Sequence, residues 1–228
     1  MKARDLRRYL RVQRNDFCPG CGCGQVLANF LRAIDERDIN PDSLVLVSGI
    51  GCSGWIPNPN IMADAIHTPH GRAIAVATGI KLFNPALKVV VFTGDGDLAA
   101  IGGNHFIHAC RRDLDMTIVC VNNSLFAMTG GQVAPTSKEG LVTPSTPYGN
   151  RERPFDLCEL AKGAGAGMVA RTSTGHPRKM IDFLKNSLMY EGFSFVEVLS
   201  QCPTHSKRDP YDELRDLMRV EDFCHSLR

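Results

Sequence analysis

Strand-sized apolar runs separated by segments of helical periodicity leave this chain few folds to choose from. Leu44-Val45-Leu46-Val47, Lys88 to Thr93, Met116 to Val121, Met168 to Arg171 and Phe193 to Leu199 are the runs. They are continuously apolar rather than alternating, the mark of strands covered on both faces. Between and before them lie helical stretches. Val26, Leu27, Phe30, Leu31 and Ile34 recur on one helical face, and Gly71 to Phe83 carries the small residues Ala73, Ala75, Ala77 and Gly79 for close packing. Further helices are expected over about Gly102 to Arg111, Phe155 to Lys162 and His176 to Tyr190. Strand and helix in alternation predict an α/β fold, a doubly wound and mainly parallel sheet. At 228 residues the whole chain, 1–228, reads as one domain. A Cys-rich loop at about 15–24 precedes it. A helical tail at about 210–228 follows, with Leu214, Leu217, Met218 and Phe223 at helical spacing, as a surface or subunit-packing helix.

Composition narrows the partners. Twenty-six Lys and Arg against 24 Asp and Glu give a net charge of +2, too little for general attraction to nucleic acid or anionic lipid. No apolar run approaches the ~20 residues of a membrane span, and the basic start, Lys2 to Arg14, has no apolar segment behind it to make a secretory signal. A cytoplasmic protein is expected. Nine cysteines are many for a reducing compartment, so metal ligation, catalysis or burial must account for them.

Ligands of doubly wound sheets bind beyond the carboxyl ends of the strands, and the conspicuous motifs fall there. Gly94-Asp95-Gly96-Asp97 ends one strand and Asn122-Asn123 ends the next, after one intervening helix. The glycines let backbone approach a phosphate, while Asp95 and Asn123 can offer side-chain oxygens to one Mg²⁺, with the Leu125 carbonyl just beyond. The pattern resembles the thiamine diphosphate signature. Taken singly, the triplet reads equally well as an ordinary turn. No Gly-x-x-x-x-Gly-Lys-Ser/Thr occurs, and Gly20-Cys21-Gly22-Cys23-Gly24 follows no strand, so neither a Walker loop nor a dinucleotide fingerprint is present. The segment from Ser124 to Arg153, rich in Gly, Pro, Ser and Thr, is long enough to imply function.

Cys18-Pro19-Gly20-Cys21 can hold two thiolates on one soft-metal centre, and Cys52 and Cys202 each follow a strand. Four thiolates suit a [4Fe–4S] cluster or a structural zinc ion, and the residues alone leave both open. Cys110, Cys120, Cys158 and Cys224 read as buried packing residues, and Cys23, crowded by Cys21, as a non-ligand.

Six motifs together resemble the beta subunit of a 2-oxoacid:ferredoxin oxidoreductase: Cys-Pro-Gly-Cys-Gly at 18–22, Gly-Ile-Gly-Cys-Ser-Gly-Trp at 49–55, His-Gly-Arg at 70–72, Gly-Asp-Gly-Asp at 94–97, Asn-Asn at 122–123 and Met-Thr-Gly-Gly-Gln at 128–132. The resemblance implies thiamine diphosphate, Mg²⁺ and a [4Fe–4S] cluster as cofactors. By position it implies Asp95, Asn123 and Leu125 as Mg²⁺ ligands, and Cys18, Cys21, Cys52 and Cys202 as cluster ligands. Ile50, Gly51, Cys52, Ser53, His70, Gly94, Asp95, Gly96, Asp97, Asn123, Leu125, Met128 and Thr129 would face the cofactor, with His70 and Thr129 as catalytic candidates. For His70 the alternative is a loop histidine capping the helix that starts near Gly71.

The implied reaction converts a 2-oxoacid, coenzyme A and oxidised ferredoxin into acyl-CoA, CO₂ and reduced ferredoxin. It also implies partners: an alpha subunit carrying the pyrimidine-binding domain, possible ferredoxin-like small subunits, and ferredoxin itself. Some relatives carry Lys after the Thr of the 128–132 loop, where this chain has Gly130. Overall likeness favours 2-oxoglutarate as substrate, with branched-chain 2-oxoacids and pyruvate as rivals. Two other readings stay open: a non-redox thiamine diphosphate-dependent decarboxylase subunit with structural zinc, and a non-catalytic scaffolding subunit.

Overall fold

The alternation is realised in a computed structural model of the chain, which describes residues 5–12, 14–206, 208–220 and 225–227. Its strands are β1 (Leu44–Ser48), β2 (Asp64–His67), β3 (Lys88–Gly94), β4 (Met116–Asn122), the short β5 (Leu125–Phe126) and β6 (Gln132–Val133), β7 (Met168–Ser173), β8 (Phe193–Leu199) and β9 (His225–Leu227). Its helices are α1 (Gly22–Glu36), α2 (Ala73–Phe83), α3 (Gly103–Arg112), α4 (Leu157–Ala164), α5 (Pro177–Met189) and α6 (Pro210–Met218). The main sheet runs in the order β2-β1-β3-β4-β8-β7-β9. Every pairing from β2 through β7 is parallel, and β9 alone runs antiparallel along β7.

Successive residues of a strand point to opposite faces, so each apolar run feeds two cores. Leu44, Leu46, Val90, Phe92, Val119, Val121, Val196 and Val198 pack with α1 and α5 on one side. On the other, Val45, Val47, Val89, Val91, Ile118, Cys120, Phe193 and Phe195 pack with α2, α3 and α4. Phe30 of α1 meets Phe92 of β3 edge to face at 5.0 Å. Asp156 Oδ1 accepts from the Glu159 N–H at 3.0 Å and so starts α4.

Two boundaries differ from expectation. The Cys-rich loop closes at Cys21, because α1 begins at Gly22 and takes in Cys23 and Gly24. The tail is not helical throughout: α6 stops at Met218, and residues 225–227 form the edge strand β9. Helical spacing in the tail could not register that short strand, whose partner lies far off in sequence. Phe223 and Cys224 lie outside the described residues, as does Lys2. The edge strand β2 was missed because Asp64-Ala65-Ile66-His67 is largely exposed and has no apolar run. Among the described residues no helix is long and apolar enough to cross a membrane.

Candidate functional site

Beyond the carboxyl ends of β1, β3 and β4 the chain folds around a cavity. Its wall includes each of the thirteen residues named above as cofactor-facing, from Ile50 to Thr129, together with Cys23, Val121, Phe126 and Ala127. Parallel strands produce this convergence, since each delivers the start of its following loop to the same edge.

Asp95 follows β3 and is 1% exposed. The hydrogen bonds that reach its carboxylate come from the Thr136 hydroxyl, at 2.5 Å, and from the backbone at Asp95 and Asn123. Among the described residues no basic side chain pairs with it. Burial therefore pushes its pKa up to about 7. A buried carboxylate lacking a cationic partner, with the Asn123 side chain and the start of β5 beside it in the cavity wall, is a donor set suited to a hard divalent cation. Asn123 Oδ1 also accepts from the Leu125 N–H at 3.1 Å, which holds the β4–β5 turn in shape.

Asp97 lines the same cavity and also holds its surroundings together. It is 3% exposed, and its carboxylate ties four segments together. Oδ1 accepts from the Gly71 N–H at 2.7 Å and the Ile50 N–H at 3.3 Å, while Oδ2 accepts from Thr93 Oγ1 at 2.7 Å. His70 Nδ1 lies 2.7 Å from Oδ1, close in distance though not aligned as a hydrogen bond. Gly49 must be glycine for this to work, because a Cβ there would stand 1.9 Å from Asp97 Oδ2. His70 does not cap α2: that helix has Arg72 as its N-cap residue and receives no side-chain cap. The histidine stands in the cavity wall against the Phe126 ring, 6.0 Å between centroids.

The loop from Met128 to Gln132 joins β5 to β6 and forms the mouth. Met128 is 48% exposed. Thr129 Oγ1 donates to Gln132 Oε1 at 2.6 Å, and Gln132 Nε2 donates back to the Thr129 carbonyl at 2.8 Å. Thr129 is thereby fixed at the rim.

The four thiols named for a cluster gather beside this cavity. Cys18 is exposed, Cys21 and Cys52 are half-buried, and Cys202 is buried against Leu125 and Ala127 with Cys52 next to it. Gly20, at φ +79°, makes the turn between Cys18 and Cys21. Burial and then the nearby Cys21, Cys202 and Cys18 sulfurs push the Cys52 thiol up to about 11. The Cys23 thiol, hydrogen-bonded to Cys21, brings Cys21 down to about 7. Among the described residues no three His, Cys, Asp or Glu side chains converge tightly enough for a single metal ion. Cys110, Cys120 and Cys158 are buried in the core that contains α2, α3 and α4.

Sequence reading passed over several residues that shape the site. Thr136 touches Asp95, and Asn122 Nδ2 donates to Glu197 Oε1 at 2.7 Å. Arg171 Nε donates to Glu197 Oε2 at 2.6 Å. A signal existed for two of them: Glu197 and Arg171 are charges inside strands buried on both faces, which is costly unless they are paired. Thr136 left none in its loop.

Residues 49–198 match the thiamine pyrophosphate enzyme, C-terminal TPP binding domain family. The chain is 52% identical over 203 residues to 2-oxoglutarate synthase subunit KorB of Methanocaldococcus jannaschii, covering 88% of this chain and 75% of that one. To the Archaeoglobus fulgidus protein of the same name it is 53% identical, covering 95% and 81%. The 2-oxoglutarate:ferredoxin oxidoreductase of Magnetococcus marinus, solved with 2-oxoglutarate, coenzyme A and succinyl-CoA bound, superposes with a TM-score of 0.90 at 38% identity, covering 95% of this chain and 74% of that one. Motifs, cavity and these likenesses agree, and the chain belongs to the family of 2-oxoacid:ferredoxin oxidoreductase beta subunits, with a thiamine diphosphate-binding domain.

Proposed function

We propose that this chain, in the cytoplasm and with an alpha subunit, catalyses the CoA-dependent oxidative decarboxylation of a 2-oxoacid, 2-oxoglutarate first among them, and passes the electrons to ferredoxin. When bound, thiamine diphosphate supplies the electron sink for decarboxylation, and a [4Fe–4S] cluster takes up the released electrons. Asp95, Asn123 and the Leu125 carbonyl would hold Mg²⁺ on the diphosphate. Gly94 and Gly96 keep the strand end bare for it, and Cys18, Cys21, Cys52 and Cys202 would hold the cluster. His70 and Thr129 would contact substrate, His70 from beside Asp97 in the wall and Thr129, hydrogen-bonded to Gln132, from the rim.

The observation that carries this reading is the position of Cys52. It belongs at once to the cavity wall and to the group of thiols, so one turn would border both cofactors. The glutamate and pyrimidine grip that thiamine enzymes of this type use would come from the alpha subunit. The test is anaerobic viologen reduction by the co-purified complex with a panel of 2-oxoacids. Reduction that needs CoA and thiamine diphosphate and is fastest with 2-oxoglutarate is expected; purified complex containing zinc and no iron would overturn the redox reading.

A further inference from the structure

Thr136 lies in the long loop after β4, far from either signature motif, yet its hydroxyl oxygen is 2.5 Å from Asp95 Oδ2 and 3.0 Å from Asn122 Oδ1. Both neighbours are acceptors and a hydroxyl has one proton. The carboxylate oxygen is the nearer and the stronger acceptor, so the proton belongs to Asp95. Asn122 Oδ1 has its own donors in the Ser124 N–H at 3.0 Å and Ser124 Oγ at 3.3 Å. The orientation of the Asn122 amide is not free either: Glu197 Oε1, 2.7 Å from Nδ2, can only accept, which turns Oδ1 toward Thr136 and Ser124.

The loop that carries Thr136 is itself anchored. Ser137 N–H donates to the Ala134 carbonyl at 2.9 Å, and the Ala134 N–H donates to Ser137 Oγ at 2.8 Å. Ser137 Oγ in turn donates to the Ser124 carbonyl at 2.5 Å, pinning the turn to the end of β4. Thr136, 7% exposed, therefore has little freedom to give up its contact with Asp95.

We infer that Thr136 is a positioning residue for the cation site: it fixes Oδ2 of Asp95 and with it the orientation of the carboxylate, and Asn122, oriented by Glu197, holds the surrounding turn. This rests on the reading of Asp95 as a Mg²⁺ ligand. Mg²⁺ demands near-ideal octahedral geometry, and partners that orient a ligand typically govern metal affinity about 10–100-fold. Asn122 and Asn123 thus divide the labour of the pair, the first shaping the turn and the second facing the cation.

The test uses the alpha–beta complex with thiamine diphosphate, with Mn²⁺ as an EPR-visible substitute for Mg²⁺. Thr136→Val keeps the shape and removes the hydroxyl; Thr136→Ser keeps the hydroxyl. The expected result is cation binding about 10–100-fold weaker in Thr136→Val and within a few-fold of wild type in Thr136→Ser. Wild-type affinity in Thr136→Val, with binding abolished in Asp95→Ala, would overturn the inference alone. Wild-type affinity in Asp95→Ala would overturn the ligand reading beneath it. Should Thr136→Val assemble poorly, thermal unfolding with and without Mg²⁺ decides: a loss of Tm equal under both conditions makes the contact structural and overturns the inference, and a loss of the Mg²⁺-induced rise supports it.

Discussion

Replacing Arg171 by Met should destabilise the protein far more than its place near one edge of the sheet suggests. Glu197 is 1% exposed in a central strand, and among the described residues the Arg171 guanidinium is the positive charge that pairs with it, 2.6 Å away. Asn122 Nδ2 at 2.7 Å and Cys158 Sγ at 3.4 Å are neutral donors that cannot replace it. Removing one partner of a buried pair costs about 3–5 kcal/mol, because the other charge stays buried without compensation. The second contact of Arg171, to Asp156 at 2.5 Å, adds little, since the Asp156 side chain is 45% exposed and keeps its capping bond to Glu159. For a domain of this size that loss lowers Tm by about 6–20 °C. Adding Glu197→Gln to Arg171→Met should recover most of it, because replacing both charges of a buried pair is often neutral. Glu197→Gln alone should cost less than Arg171→Met alone, since Arg171 retains Asp156 and some access to water. Thermal unfolding of the complex for the four proteins closes the cycle. Effects that add within about 0.5 kcal/mol would refute the coupling, and a cost below about 1 kcal/mol for Arg171→Met would refute the claim that Glu197 is held by it.

Gly49→Ala should weaken thiamine diphosphate binding and cost about 1–3 kcal/mol by overpacking, because its Cβ would meet Asp97 Oδ2 at 1.9 Å; unchanged cofactor affinity and Tm would refute the crowding. Cys52→Ser should lower the iron content of anaerobically purified complex, whereas Cys23→Ser should keep it; iron loss in Cys23→Ser would make that residue a ligand. With its pKa raised by burial from 3.8 to about 7, Asp95 in the cation-free protein keeps its proton where the unfolded chain has lost it. Stability should therefore fall as pH rises from about 4 to about 7, and added Mg²⁺ should flatten the slope; a rising stability over that window without cation would contradict the burial argument.

The sheet was legible in the sequence because burial on both faces writes itself as continuous apolar runs, and five such runs became β1, β3, β4, β7 and β8. What stayed hidden has physical causes. The edge strand β2 carries exposed residues on a single parallel neighbour, so nothing in its composition announces it. β9 is defined by a partner more than fifty residues away along the chain. For the site, the resemblance carried by the six motifs named thirteen residues that the structure brings into one cavity wall. They did not separate Asp95 from Asp97, two carboxylates in one motif. Only geometry does so, because the first has no cationic partner among the described residues and the second accepts from Ile50, Gly71 and Thr93, with His70 beside it.

On the proposed reading, those contacts of Asp97 would let one short turn serve two cofactor sites. The segment Gly49 to Trp55 leaves β1 at the point where Asp97 grips the Ile50 N–H, so its start is fixed to the end of β3. Three residues after Gly49, Cys52 stands between the cavity and the other thiols. Asp97 also holds the Gly71 N–H and approaches His70, so the same carboxylate fixes another part of the wall. A shift of Asp97 would move the turn bearing Cys52 and the loop bearing His70 together. On the proposed reading, Asp97 therefore lines the cofactor cavity and also holds in register the two segments that bear Cys52 and His70.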